Sequence, residues 1–215
     1  MLFLSALLAL QVPDTSVLFR PDDAFWDVRA PAVFRADFAT TRGTFQVEVH
    51  REWAPRGADR FYNLIRAGFF DDSRFFRVVP DFIAQFGVAG DPAVTRVWAD
   101  RTFPDDPERE SNRRGTIAFA MKGPDDRRTQ LYINLRDNTR INGQGFAVMG
   151  RVVAGMPVVD SLYSGYGESS GGGMRAGHQQ RLLTEGNAWL DAEFPRLDRI
   201  LRARIVPATH GSESR

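Results

Sequence analysis

The sequence predicts a mainly β domain, with short antiparallel strands closed into a barrel and two main helices set against it. Three observations carry this. Apolar residues recur with a period of two over many short runs, as on strands with one buried face. Turns marked by Gly, Pro or Asp separate those runs. Few stretches hold a helical stripe, which argues against a layered α/β fold.

The elements follow in order. Residues 1–10 form a largely apolar run, too short to cross a bilayer, which takes about 20 residues. Its length suits the apolar region of an export signal ending near Ala9 and Gln11, although no basic residue precedes it; a frayed apolar tail is the alternative. Residues 12–32, rich in Pro and Asp, read as an irregular leader. Phe34, Ala36 and Phe38, then Phe45, Val47 and Val49, alternate with polar residues around a turn ending in Gly43, a β-hairpin pattern. A helix should begin at Pro55, carry Ala58, Phe61, Leu64 and Ile65 on one face, and stop at Gly68. A strand is expected over residues 74–79. Residues 91–112, with three prolines and mixed charges, read as an excursion over the surface. Further strands are expected over residues 115–120, 130–135 and 147–152, and a short helix over 156–163. Residues 165–177 read as a glycine-rich insertion and 188–194 as helical. Leu201, Ala203 and Ile205 alternate with Arg202 and Arg204 in a last strand that could pair with the first and close the barrel. The domain should then span 33–206, with a polar tail over 207–215.

Composition narrows the chemistry. The 215 residues include 28 basic and 27 acidic side chains, a net charge of +1, so neither nucleic acid nor an anionic membrane surface is suggested as a partner. There is no cysteine, which removes disulfides and thiolate nucleophiles. His50, His178 and His210 share no metal-ligand spacing, so no metal site is expected. The carboxylate pairs Asp71-Asp72, Asp105-Asp106 and Asp125-Asp126 lie beside turn residues and read as turn chemistry rather than acid–base dyads. Arg113-Arg114 and Arg127-Arg128 read as solvated turns. The glycine-rich Gly165-Tyr166-Gly167-Glu168-Ser169-Ser170-Gly171 lacks the Lys-Ser/Thr of a phosphate loop.

One constellation stands out. Phe75-Phe76-Arg77-Val78-Val79-Pro80-Asp81-Phe82-Ile83-Ala84-Gln85 resembles the signature of the cyclophilin-type peptidyl-prolyl cis-trans isomerases, commonly Phe-His-Arg, two hydrophobic residues, then Pro-x-Phe-hydrophobic-x-Gln. Gly115-Thr116-Ile117-Ala118-Phe119-Ala120-Met121-Lys122-Gly123-Pro124 is similar to that family's strand ending in Met-Ala-Asn-x-Gly-Pro. Gln130-Leu131-Tyr132-Ile133 resembles its Ser-Gln-Phe-Phe-Ile, and Ile141-Asn142-Gly143 with Phe146, Met149-Gly150-Arg151-Val152 and Gly155-Met156 follow its later pattern. Ala54-Pro55 and Gly68-Phe69-Phe70-Asp71 fit upstream. Each match alone is weak; together they keep the family order over about residues 33–164.

The resemblance implies an eight-stranded antiparallel barrel capped by two helices, rotamase activity on X–Pro bonds of client proteins, and no cofactor. It implies that Arg77 and Gln85 are catalytic. Phe82, Ile83, Ala120, Met121, Gln130, Tyr132, Ile141 and Phe146 would bind the proline-containing segment. In isolation Arg77 would read as an arginine on the solvent face of a strand, and Ile83 and Ile141 as ordinary core. The chain departs from the pattern in places. Phe76 replaces the histidine beside the arginine, and the stretch after Gln85 is longer than the usual Gln-Gly-Gly-Asp. Met121 stands where asparagine is common, Tyr132 adds a hydroxyl that needs a partner, and Gly145-Phe146 replaces a pocket histidine. Arg140 stands where some members have the tryptophan linked to cyclosporin sensitivity, which implies weaker binding of that drug. The reading is thus a bacterial, divergent, exported, monomeric isomerase, periplasmic or secreted, with the cytoplasm as the alternative location. Its rivals are a catalytically idle barrel that binds proline segments as a chaperone or adaptor, and a carboxylate-dependent hydrolase.

Overall fold

A computed structural model describes residues 13–171 and 179–207. The expected signal segment 1–11 and most of the polar tail lie outside the described residues, as does part of the glycine-rich insertion.

Strands β1 (Val33–Thr40) and β2 (Gly43–His50) form the expected hairpin, with every pair from Val33↔His50 to Thr40↔Gly43 in register. The turn is only Thr41-Arg42, and Gly43 takes φ +124°, where any side chain would be strained. Helix α1 (Pro55–Arg66) follows, then β3 (Arg77–Val79), β4 (Ile83–Phe86), α2 (Pro92–Trp98), β5 (Thr116–Phe119), β6 (Leu131–Asn134), β7 (Val148–Ala154), α3 (Met156–Asp160), α4 (Gln179–Glu185), α5 (Asn187–Glu193) and β8 (Ile200–Ile205). The eight strands form one antiparallel sheet in the order β3-β4-β6-β5-β7-β2-β1-β8. Its two ends meet just before β3. Arg74 bridges Arg199, Phe75 N–H donates to Asp198 O, and Ile200 N–H to Ser73 O, so the sheet curls back on itself.

The interior holds the alternating residues foreseen in the first hairpin together with Ile117, Phe119, Leu131, Ile133, Ala84 and Phe86. Phe38 sits at its centre, with Phe45, Phe61 and Phe86 rings 5.1 to 6.0 Å away. Stripping these from water is what closes the barrel, at ~25 cal/mol per Å² of apolar surface.

Several local expectations need correction. Residues 91–112 are not only an excursion, for α2 lies within them. Asp91 caps it by accepting from Ala93 N–H, Pro92 sits in its first turn, and Val94 and Trp98 are buried one turn apart. Those cap and spacing signals were present but short. Strand β8 does not alternate as expected, because a bulge pairs Ala39 with Arg202 but Thr40 with Ile200. Leu201 is left over and half exposed, and Ile200 takes the buried place. Strand β3 begins at Arg77, three residues later than expected.

One arginine and one aspartate of the paired residues depart from the turn reading, while Asp72 and Asp125 keep it at φ +60° and +55°. Arg127 and Asp106 are buried, with Arg127 Nη1 3.0 Å from Asp106 Oδ2. Asp106 also accepts from the backbone N–H groups of Arg56 and Gly57. The N-cap position of α1 is Ala54, which offers no capping side chain, so a residue about fifty positions away caps the helix instead.

Candidate active site

The strand register builds the site. Arg77 lies opposite Gln85, Gln85 opposite Tyr132, and Tyr132 opposite Ala118, across β3, β4, β6 and β5. Facing residues share one side of a sheet, so these four side chains form a row on the outer surface of the barrel. The intervening row, Val78, Ala84, Ile133 and Ile117, fills the interior. Between β3 and β4 the chain reverses at Pro80-Asp81, with Asp81 at φ +55° and Phe82 N–H donating to Val79 O. Proline followed by a positive φ suits a type II turn, and it delivers Phe82 beside Arg77.

All ten residues singled out in the sequence line one cleft of about 490 Å³. Ile83 and Tyr132 are its buried apolar residues, clustered with Ala118 beneath, and Phe82, Ala120, Ile141 and Phe146 pack around them. Arg77 Nη1 donates to Gln85 Oε1 at 3.0 Å, and Gln85 Nε2 to Gln130 Oε1 at 3.0 Å. The amide NH₂ of Gln130 is then the donor available to a peptide carbonyl. Two guanidinium groups approach the Phe82 ring, Arg77 at 5.5 Å and Arg140 at 5.0 Å.

The Tyr132 hydroxyl has its partner, donating to Asn112 Oδ1 at 2.8 Å. Burial, and secondarily the charge of Glu108, push its pKa far up, so it remains a neutral donor. Asn112 also accepts from Asn134 and donates to Phe146 O, while Asn138 donates to Asn134 and to Phe82 O. This chain of buried asparagines ties together three walls of the cleft.

Sequence reasoning missed part of the site. Lys122, Asp126 and Arg128 line the cleft from the β5–β6 loop, and Gln179, Gln180 and Leu183 line it from α4. Of the six paired aspartates only Asp126 reaches it, held by Arg128 at 2.6 Å. Two departures from the family pattern have one physical cause. Phe76, beside Arg77, and Val88, in the lengthened loop, are buried against Leu182, Trp189 and Leu190 of α4 and α5. Asn187 N–H also donates to Gly90 O. The histidine-to-phenylalanine change and the longer loop together make the seat for this helical pair. The apolar residue at 76 and the lengthened stretch after Gln85 were its sequence signals. The last surprise is Glu168, whose Oε1 accepts from Arg77 Nη2 at 2.6 Å.

The family model described as cyclophilin type peptidyl-prolyl cis-trans isomerase/CLD matches residues 35–179. The chain belongs to this family. A peptidyl-prolyl cis-trans isomerase of Acinetobacter baylyi is 30% identical over 131 residues, 59% of this chain and 70% of that protein. One from Arabidopsis thaliana is 32% identical over 131 residues, 58% of this chain and 77% of that protein. A crystal structure of a cyclophilin-type isomerase of Cryptosporidium parvum superposes with a TM-score of 0.60 at 18% identity, covering 82% of this chain and 99% of that one. A second structure of that protein, in the presence of the dipeptide Ala-Pro, gives 0.58, covering 80% of this chain and 99% of that one. The fold is thus the cyclophilin fold. Outside the match, the α5 helix and β8 belong to this chain's C-terminal part, and no helix among the described residues is long and apolar enough to cross a membrane.

Proposed function

We propose that this cyclophilin catalyses X–Pro rotation at the cleft beside Arg77, with Arg77 as the transition-state donor. The observation that carries the proposal is the pairing of a guanidinium hydrogen-bonded to Gln85 with an apolar floor of Ile83 and Tyr132. Rotation about X–Pro faces a barrier of ~18–20 kcal/mol, because twisting destroys amide resonance. In the twisted state the prolyl nitrogen regains its lone pair and becomes an acceptor. A guanidinium held in place binds that state better than either planar one, which lowers the barrier. The proline ring would sit among Phe82, Ile83, Tyr132, Ile141 and Phe146, anchoring one side while the carbonyl side turns. Gln130 would hold the peptide backbone, and Ala120 and Met121 would flank it. Nothing in this reading requires proton transfer, a nucleophile or a cofactor.

The same proposal takes proline-containing segments of client proteins as partners and the chain as a bacterial, exported monomer with its isomerase domain over 33–206. The apolar run at residues 1–10 supports export, and the near-zero net charge argues against a nucleic-acid partner. Finding the unprocessed N terminus in a cytoplasmic fraction would remove the export element.

The test is exchange of a short X–Pro peptide followed by NMR, for the intact protein and for Arg77→Ala. Catalysis by the intact protein and a loss of about two orders of magnitude in the variant are expected, the usual effect of removing one preorganised donor. Binding without accelerated exchange would leave the proline-binding adaptor in its place.

A further inference from the structure

The guanidinium of Arg77 is gripped twice. From β4, Gln85 Oε1 accepts from Nη1 at 3.0 Å; from the segment after α3, Glu168 Oε1 accepts from Nη2 at 2.6 Å. Nε is buried with no hydrogen-bond partner among the described residues. One hydrogen bond leaves a planar group free to swing about it, whereas two on different nitrogens fix both its position and its plane.

We propose that Glu168 is a positioning residue for the isomerase reaction, holding the Arg77 guanidinium in the orientation that meets the twisted peptide. The role rests on the reading of Arg77 given above. Three observations carry it beyond a surface ion pair. First, Glu168 does not line the cleft that Arg77 lines. The carboxylate therefore takes hold from the flank and does not occupy the place of the peptide. Second, the pair is not loose: the Arg77 side chain is only 12% exposed and that of Glu168 37%. Third, the segment bearing Glu168 is itself tied down beside the arginine. Ser170 Oγ donates to the carbonyl of Phe76, the residue preceding Arg77, at 2.7 Å. Turn bonds from Gly167 N–H to Ser164 O and from Ser169 N–H to Tyr166 O stiffen it. Tyr166 packs edge-on to Tyr163 and Phe194, with ring centroids 5.0 and 5.1 Å apart.

The stretch that reads in sequence as a bare glycine-rich loop thus supplies part of the reaction machinery. Its cost is electrostatic, because a carboxylate on the guanidinium weakens the field at the prolyl nitrogen. Its gain is that the donor needs no reorganisation when the peptide twists, which is where oriented groups contribute most.

The experiment compares the intact protein with Glu168→Ala and Glu168→Gln, using peptide-exchange kinetics, thermal melting and the Nε–H NMR signal of Arg77, assigned by its loss in Arg77→Ala. Expected for Glu168→Ala is a kcat lower by roughly 10- to 100-fold, the scale of a misoriented catalytic group, with KM changed by less than about twofold. The Arg77 signal should shift or broaden while the melting temperature stays within about 3 °C. Glu168→Gln, which keeps an acceptor oxygen, should recover much of the kcat. A kcat within about twofold of the intact protein, or an unmoved Arg77 signal, overturns the role. A raised kcat overturns it as well, in favour of a carboxylate that restrains the site. Absence of exchange in the intact protein sinks the isomerase reading and this role together; exchange by the intact protein with an indifferent Glu168→Ala sinks this role alone.

Discussion

Removing the Asn112 side chain should loosen the cleft from beneath, and the structure sets the size of the effect. The side chain is fully buried and serves four partners: it accepts from Tyr132 Oη and Asn134 Nδ2 and donates to Phe146 O and Asn142 Oδ1. In Asn112→Ala two of them keep other bonds, Asn134 to Thr116 Oγ1 and Asn142 to the Asn112 backbone N–H. Tyr132 Oη and Phe146 O are left without one. An orphaned buried polar group costs about 1–3 kcal/mol, so the pair should cost ~4 kcal/mol. For a chain of this length that is a fall in melting temperature of about 8–16 °C. Tyr132→Phe alone should cost only ~1 kcal/mol, because Asn112 Oδ1 still has Asn134 as a donor. In the Tyr132→Phe background the hydroxyl is no longer there to be orphaned, so Asn112→Ala should become milder by ~1–3 kcal/mol. Urea denaturation of the four proteins measures that coupling. Additive costs, within about 0.5 kcal/mol, would refute the claim that Asn112 is what satisfies the tyrosine. Peptide KM should rise in Asn112→Ala, since Tyr132 and Phe146 both line the cleft.

Asp106→Ala takes the charge partner from the buried Arg127 and the cap from α1, while Asp105 remains 3.2 Å from Arg127 Nε. A loss of ~3 kcal/mol is expected, at the low end for a broken buried pair, and a melting temperature unchanged within error would contradict it. Phe76→Ala empties the seat of α4 and α5 and should cost ~3–5 kcal/mol of packing locally. Hydrogen exchange should then rise over residues 179–193 while the interior strands β5 and β6 stay protected; uniform exchange throughout would refute a separate docking unit. Glu48 accepts from Arg35, and this bond first, then the one to His50, holds its carboxyl below the ordinary 4.5. Its folded pKa is the lower one, so its contribution to stability is complete above the unfolded value and is lost as pH falls through the folded value. Glu48→Gln should flatten the acid limb of urea stability below about pH 4.5, and an identical limb in both proteins would count against the assignment.

The sequence by itself determined the first hairpin and α1 and, through its resemblance to the family, the ten residues that line the cleft. A period of two or of 3.6 is written in neighbouring residues, and so is the spacing of Arg77, Phe82 and Gln85 around a Pro-Asp turn. The row Arg77, Gln85, Tyr132 needed only the strand register, which the buried apolar set dictates. Tertiary structure alone decided what surrounds that row. Asp106 capping α1, Glu168 gripping Arg77, and Phe76 seating α4 and α5 each join residues about 50 to 110 positions apart. Such contacts follow no local period. An aspartate in a turn and an aspartate buried under a helix have the same neighbours in sequence, and they differ only in what the folded chain brings within hydrogen-bonding reach.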